Sequence, residues 1–248
     1  MVRKRIEVEE KILRTMRYFG IEATSMEKHI RDYNPDAKTY FYHCPFAKTE
    51  VKEEVEKEFD LVYFAKIVRM KGIEDLIKAL PLVKQVKPDV KLEIIGKGDE
   101  RYIEYLKQLI TELGLNENIA FRGFIPTQRE VHTEVKKARI SVLPTYNDTL
   151  PGTIIESMLL GLPVISYHTG GIPDLNMNGE HVILVGQGNT GLLAGEIISL
   201  LQNTVRQKEL SEKGREYVSV EFDNTRSIDM QIKACREVIQ DFKEYPGN

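Results

Sequence analysis

Residues 148–166, DTLPGTIIESMLLGLPVIS, place two carboxylates, Asp148 and Glu156, on either side of a Leu150-Pro151-Gly152-Thr153 turn that leads into an apolar run. A proline suits the first position of a helix, where its missing N–H costs nothing. Pro151 is therefore expected there, with Gly152, Thr153 and Ile154 offering free backbone N–H groups. Such a helix start carries about half a positive charge and attracts anions. Phosphate is the anion that suits it, and Gly152 lets that phosphate approach the backbone. Glu156 follows Thr153 by one turn on the same face, where its carboxylate can accept hydrogen bonds from hydroxyls beside the anion, as acids do with ribose. Asp148 can do the same before the turn. The chemistry is then an anion in the middle and a polyol at each flank. The same residues also fit a simpler arrangement, with Asp148 or Thr149 capping the helix and Glu156 favouring its dipole.

Two lysines, Lys66 and Lys71, lie in FAKIVRMKGIEDLI, where a strand ends and a helix begins. Ligands of open α/β sheets collect at strand ends, and two cations there can neutralise a phosphate or a departing diphosphate. Arg69 lies between them and competes for the role. Gly96 and Gly98, in IIGKGDER, follow an apolar run, but the third glycine of the dinucleotide fingerprint is absent, which argues against NAD. They read as a strand-to-helix turn that touches a ligand through backbone alone, and Gly170 and Gly171 in HTGGIPD read likewise. No Asp-x-Asp pair, histidine pair at metal-binding spacing, G-x-S-x-G elbow or Walker A sequence occurs. Neither a metal nor a cofactor is expected.

From Leu61 onward, LVYFAKIV, VKLEIIG, NIAFRGF, ISVLP, PVISY and HVILV alternate with amphipathic stretches. Six such runs with intervening helices predict an α/β fold with a doubly wound, Rossmann-like parallel sheet. Their near-continuous apolar character suits strands covered on both faces. Beyond HVILV the pattern is helical to the end. The first 60 residues differ: two charged helical stretches flank GIEAT and TYFYH, a strand remnant and a lone strand with too few partners to build a sheet. The expected organisation is an α/β appendage and linker at 1–60, the Rossmann-like domain at 61–225 and a C-terminal helix at 226–248.

With 248 residues, 42% of them hydrophobic, the chain can fill a substantial core. Its 35 basic and 38 acidic residues are interspersed, giving a net charge of -3 and no basic field for nucleic acid. Cys44 and Cys235 stand far apart, which fits a reducing compartment. No apolar run approaches the roughly 18 residues of a membrane span. The cytoplasm is the expected location.

Together, AKIVRMKGIEDLIKAL, VKLEIIGKGDE, LGLNENIAFRGFIP, ISVLPTYNDTLPGTIIESMLLGLPVIS and GGIPDL resemble, in order and approximate spacing, the C-terminal, nucleotide-sugar-binding domain of the group-one glycosyltransferases of the GT-B fold. The resemblance runs from about Leu61 to the C-terminus. It implies a metal-independent, hexosyltransferase-type enzyme that moves a sugar from a UDP- or GDP-sugar to a hydroxyl of a saccharide or lipid-linked acceptor, as in polysaccharide biosynthesis. Members carry a Glu, seven residues and a second Glu. Asp148 and Glu156 occupy those positions, the second on the donor ribose and the first by the transferred sugar, and with Lys71 they are the implied catalytic set. Lys71 matches the lysine on the diphosphate, while Lys66 stands where an arginine is usual. Backbone groups of Leu150, Pro151, Gly152 and Thr153 would meet sugar and diphosphate, Gly96 and Gly98 would adjoin the ligand, and Phe124 and Ile125 would lie by the base.

Two departures concern the site itself. Asp148 is one methylene shorter than Glu, and Lys66 has a point charge in place of a bidentate fork. A third is larger: the family's N-terminal acceptor half is mostly absent, residues from about Glu9 to Pro45 resembling its last strand and helix. The expectation is a shortened, donor-binding half, inactive alone, that self-associates or awaits the other half, in the cytoplasm or at the membrane surface. The rival reading is a noncatalytic nucleotide-sugar-binding subunit that serves a partner.

Overall fold

The computed structural model describes residues 2–46 and 55–244, with side chains from residue 6 onward. The linker expected within 1–60 falls in part, at 47–54, outside the described residues. The chain divides into two compact units, one of residues 1–46 with 220–248 and the other of residues 47–219.

The first unit opens with α1 (Val2–Thr15), β1 (Tyr18–Ile21), α2 (Thr24–Tyr33) and β2 (Lys38–Phe41). Its two strands pair in parallel, Tyr18 opposite Lys38. The expected remnant and lone strand are thus each other's partner, which their sequences hide because each has only four residues. Leu13, Ile21, Ile30 and Ala37 form a small core.

The second unit contains β3 (Phe59–Phe64), α3 (Ile73–Val86), β4 (Leu92–Ile95), α4 (Glu100–Glu112), β5 (Ile119–Gly123), α5 (Gln128–Lys136), β6 (Ala138–Leu143), α6 (Gly152–Leu159), β7 (Val164–Tyr167), β8 (Ile183–Val185), α7 (Thr190–Gln202) and most of α8 (Thr204–Glu221). Its six strands are all parallel, in the order β5-β4-β3-β6-β7-β8. That is the doubly wound order in which the direction of winding reverses between β3 and β6, opening a crevice at their carboxyl ends. Leu61, Val62, Tyr63 and Ile94 are fully buried, as strands covered on both faces require. Each such apolar side chain contributes about 1.5–3 kcal/mol by leaving water. Helix α3 buries Ile73, Leu76, Ile77, Leu80 and Val83 at the three-and-four spacing of one helical face.

Capping fixes where two of the helices begin. Asp99 accepts from the N–H groups of Arg101 and Tyr102 at 3.1 and 3.2 Å. Thr127 caps α5, its hydroxyl oxygen accepting from the Glu130 N–H at 3.3 Å while the hydroxyl donates to the Glu130 carboxylate at 2.7 Å.

Glu93 breaks the apolar run of β4. It is 2% exposed, and its Oε2 has no hydrogen-bond partner among the described residues. Burial, then the charge of Glu134, pushes its carboxyl up to about 7 against the opposing pull of Arg122 and Lys137.

The last helix, α9 (Asn224–Glu244), groups with the first unit and not as the separate segment expected at 226–248. Asp241 attaches it there by accepting from the Tyr18 hydroxyl at 2.5 Å and pairing with Arg17 at 2.8 Å and with Lys38. Those hydrogen bonds hold the Asp241 carboxyl below its ordinary range, Lys38 having the largest effect and Tyr18 the next.

Candidate functional site

The carboxyl ends of β3, β4 and β5, the start of α5 and the first turns of α6 line an open cavity of about 630 Å³. Lys66, Gly96, Gly98, Phe124, Ile125, Thr153 and Glu156, all singled out from the sequence, line it. Two loops build one wall. Ile67 pairs with Gly98 in an isolated parallel bridge, and the N–H of Ile67 donates to the Lys97 carbonyl at 2.9 Å, so the sheet's pairing continues past its strands. A Cβ on Gly96 would sit 2.0 Å from the Ala65 carbonyl oxygen, and one on Gly98 would sit 2.5 Å from that of Ile67. Both glycines are thus required by the neighbouring backbone, before any ligand is considered. The fully buried Tyr63 donates its hydroxyl to the Lys66 carbonyl at 3.0 Å and fixes that turn.

Helix α6 begins at Gly152, with Pro151 as its N-cap and no side-chain cap bond. Pro151 thus stands one position earlier than expected, its ψ of 122° still extended. Neither Asp148 nor Thr149 caps the helix, which removes the simpler arrangement. The Ile154 N–H donates to the Pro151 carbonyl at 3.0 Å and is therefore not free, contrary to expectation. The N–H groups of Gly152 and Thr153 have no acceptor among the described residues, so two donors remain at the positive end of the helix.

Lys71 and Asp148 lie outside the cavity lining, as do Leu150, Pro151 and Gly152. The two charged residues form an ion pair with each other, their side chains 25% and 18% exposed. Close approach of two loops produces this pair. Gly72 has φ of 71°, and a Cβ there would meet the Pro144 carbonyl oxygen at 1.8 Å, so only glycine lets the loop after β3 lie against the loop after β6. The Met70 carbonyl accepts from the Tyr146 N–H at 2.8 Å and the Thr145 hydroxyl at 3.1 Å. Asp75 accepts from the hydroxyls of Tyr146 and Tyr167, which pushes the Tyr146 phenol up to about 12.

Arg69 does not compete with the lysines. It pairs with Glu74 at 2.8 Å and stands over the rings of Tyr102 and Tyr105, beside a separate hollow. Gly170 and Gly171 also stay off the cavity; the Gly171 N–H donates to the Thr149 carbonyl at 2.5 Å, tying the loop after β7 to the loop before α6.

Sequence reasoning missed three residues. Lys97, between the two glycines, adds a second lysine to the cavity wall, and Gln128 lines it from α5. His132, one turn beyond Gln128, is 3% exposed and brings Nε2 to 3.5 Å from Glu156 Oε2. A polar pair at i and i+4 beside the apolar Val131 and Val135 of an amphipathic helix was the available signal. No group of three or more potential metal ligands occurs among the described residues, and no helix among them is long and apolar enough to cross a membrane.

Residues 46–217 match the family described as Glycosyl transferases group 1, more than half of the chain. The chain belongs to the group 1 glycosyltransferases. Among curated group 1 relatives and neighbours, it is similar to N-acetyl-alpha-D-glucosaminyl L-malate synthase of Bacillus anthracis, 25% identical over 212 residues that make up 84% of this chain and 53% of that one. It is likewise similar to a GDP-mannose-dependent phosphatidylinositol monomannoside mannosyltransferase of Corynebacterium glutamicum, 28% identical over 64% of this chain and 42% of that one. The group 1 chain described here therefore spans about half the length, or less, of these relatives. Among solved structures, Anabaena HepE in complex with UDP-glucose superimposes with a TM-score of 0.80 at 19% identity, over 97% of this chain and 68% of that one. Sucrose-phosphate synthase from Thermosynechococcus elongatus gives 0.82 at 22% identity, over 96% and 62%. These likenesses show that this group 1 member shares the fold of the matched part of such GT-B structures, the Rossmann-like half expected from the sequence.

Proposed function

We propose that the chain binds a nucleotide-diphospho-sugar and supplies the donor half of a glycosyltransferase. The observation that carries this reading is the Glu156 carboxylate: it lines the cavity with Thr153 and Lys66, and among the described residues its one ion-pair partner within 4 Å is His132, at 3.5 Å. The Glu156 side chain is 21% exposed, so the carboxylate oxygens are open to ligand hydroxyls such as those of a ribose. Phe124, Ile125 and Gln128 offer the base an apolar wall with one amide. Lys66, Lys97 and the two free N–H groups of α6 face the diphosphate, with Lys71 close by in its pair with Asp148.

In transfer, the sugar's anomeric carbon is attacked by an acceptor hydroxyl as the nucleoside diphosphate departs. Negative charge grows on the leaving oxygen, and fixed donors and cations stabilise it in proportion to how little they must reorganise. Lys66, Lys71 and the α6 start do so without a metal, and Asp148 faces the transferred hexosyl group. The acceptor, a saccharide or a lipid-linked hydroxyl, is bound by a second half of the kind the longer relatives possess, or by a partner or second copy, in the cytoplasm or at the membrane surface. The isolated chain accordingly transfers little.

Calorimetric titration with UDP-glucose and GDP-mannose tests the reading. Saturable binding of at least one is expected, and no heat from either with a folded protein refutes it.

A further inference from the structure

We infer that His132 is a positioning residue that holds the Glu156 carboxylate ready for the donor's ribose hydroxyls. This rests on the donor-binding function proposed above. His132 lies on α5, 3% exposed, and does not itself line the cavity. Its Nε2 is 2.9 Å from the Gln128 side-chain nitrogen and 3.5 Å from Glu156 Oε2, while its Nδ1 is buried without a partner among the described residues.

Of the two neutral tautomers of the ring, only one suits both neighbours. Donation from the Gln128 amide into the Nε2 lone pair puts the proton on Nδ1, where no acceptor exists, and aims a lone pair at a carboxylate. A proton on Nε2 reverses both faults. A half-turn of the Gln128 amide then presents its carbonyl oxygen to that proton, and Glu156 approaches an N–H in place of a lone pair. The orphan left behind is a lone pair on Nδ1, which burial penalises less than an orphan N–H.

Glu156 is otherwise a long side chain on the second turn of α6 that lines the cavity, 21% exposed, with no hydrogen bond to another described side chain. Fixing such a chain at the moment of binding costs up to about tenfold in affinity. A buried imidazole that has met this cost before the ligand arrives therefore acts through Glu156 alone, and only on ligands that carry the hydroxyls.

The test is a ratio of affinities. UDP and GDP are titrated calorimetrically into the whole chain beside their 2′,3′-dideoxy counterparts, and the nucleotide that binds is carried through the variants. The unmodified chain is expected to prefer the ribonucleotide by about tenfold or more, the worth of a hydrogen bond to a charged group. Glu156→Gln abolishes most of that preference. His132→Asn fills the pocket but cannot reach the Nε2 position; it should reduce the preference to about twofold while leaving the dideoxy affinity unchanged. His132→Gln carries an amide nitrogen to that position and should restore the preference. A merely structural role would weaken both nucleotides together and leave the ratio alone.

The inference is overturned if His132→Asn keeps the full preference, or if the two His132 variants lose it equally. A preference that survives Glu156→Gln instead removes Glu156 from the ribose, and the absence of binding to the unmodified chain removes the donor reading itself.

Discussion

Replacing Glu93 by glutamine should flatten the pH dependence of folding stability. In the native state the carboxyl titrates near 7, whereas the ordinary value is 4.5. Between these values the native state holds a proton that the unfolded chain has lost, so stability falls as pH rises. Below about pH 4.5 both states are protonated and the full contribution is present; above about pH 7 it is gone. At 1.36 kcal/mol per pH unit the whole effect is about 3 kcal/mol, an upper figure because the unpaired Oε2 of the buried carboxyl can draw in water. Glutamine keeps the shape and cannot ionise, so its benefit grows across the window and reaches about 1–3 kcal/mol at pH 8. In a unit of this size each kcal/mol moves Tm by about 2–4 °C. Thermal unfolding followed by circular dichroism from about pH 4 to about pH 9 measures it, and the difference between the two proteins isolates this one group from every other carboxylate. A difference that stays constant across that range would refute the reasoning.

Three further outcomes are expected. Lys71→Met strands Asp148 and removes a cation beside the diphosphate, so UDP or GDP affinity should fall about tenfold or more in a calorimetric titration, whereas Asp148→Asn frees Lys71 and should raise affinity for the bare nucleotide while lowering it for the sugar-bearing donor. Gly72→Ala forces alanine into a left-handed conformation, at about 1–3 kcal/mol before the clash with Pro144 is counted; a Tm lowered by several degrees together with weakened donor binding is expected, and unchanged melting would show that the two loops need not touch. Asp99→Ala removes the α4 cap and should cost about 0.5–2 kcal/mol in urea unfolding without altering nucleotide affinity.

The sheet was readable because strands such as β3, β4 and β7 are buried along all or nearly all of their length and so announce themselves as apolar runs; β5, at the edge of the sheet, departs from that expectation, with Ala120 and Arg122 exposed. The pairing of β1 with β2 was not, since four-residue strands carry too little pattern to assign a partner. At the site, one-dimensional spacing correctly aligned Thr153 with Glu156, because residues three apart on a helix share a face. It misplaced Pro151 by one position, since proline's fixed φ serves an N-cap as well as a first helical residue. Contacts between elements were the hidden part. Nothing in the chain order couples Lys71 to Asp148 or His132 to Glu156; packing of separate loops and helices does so, and the traces in the sequence are glycine at position 72, where the loops meet, and the polar Gln128–His132 pair on an otherwise amphipathic helix.

The crossing of backbone at Gly96 and Gly98 has a consequence for how such a pocket can diversify. Main chain already occupies the space that side chains at those two positions would need, so that wall is closed to substitution whatever occupant the cavity receives. A descendant with a different appetite for base or sugar must record the change on the facing side, at Phe124, Ile125 and Gln128. Grafting the short segment 124–128 between relatives is therefore the economical way to re-address the pocket while its foundations stay as they are.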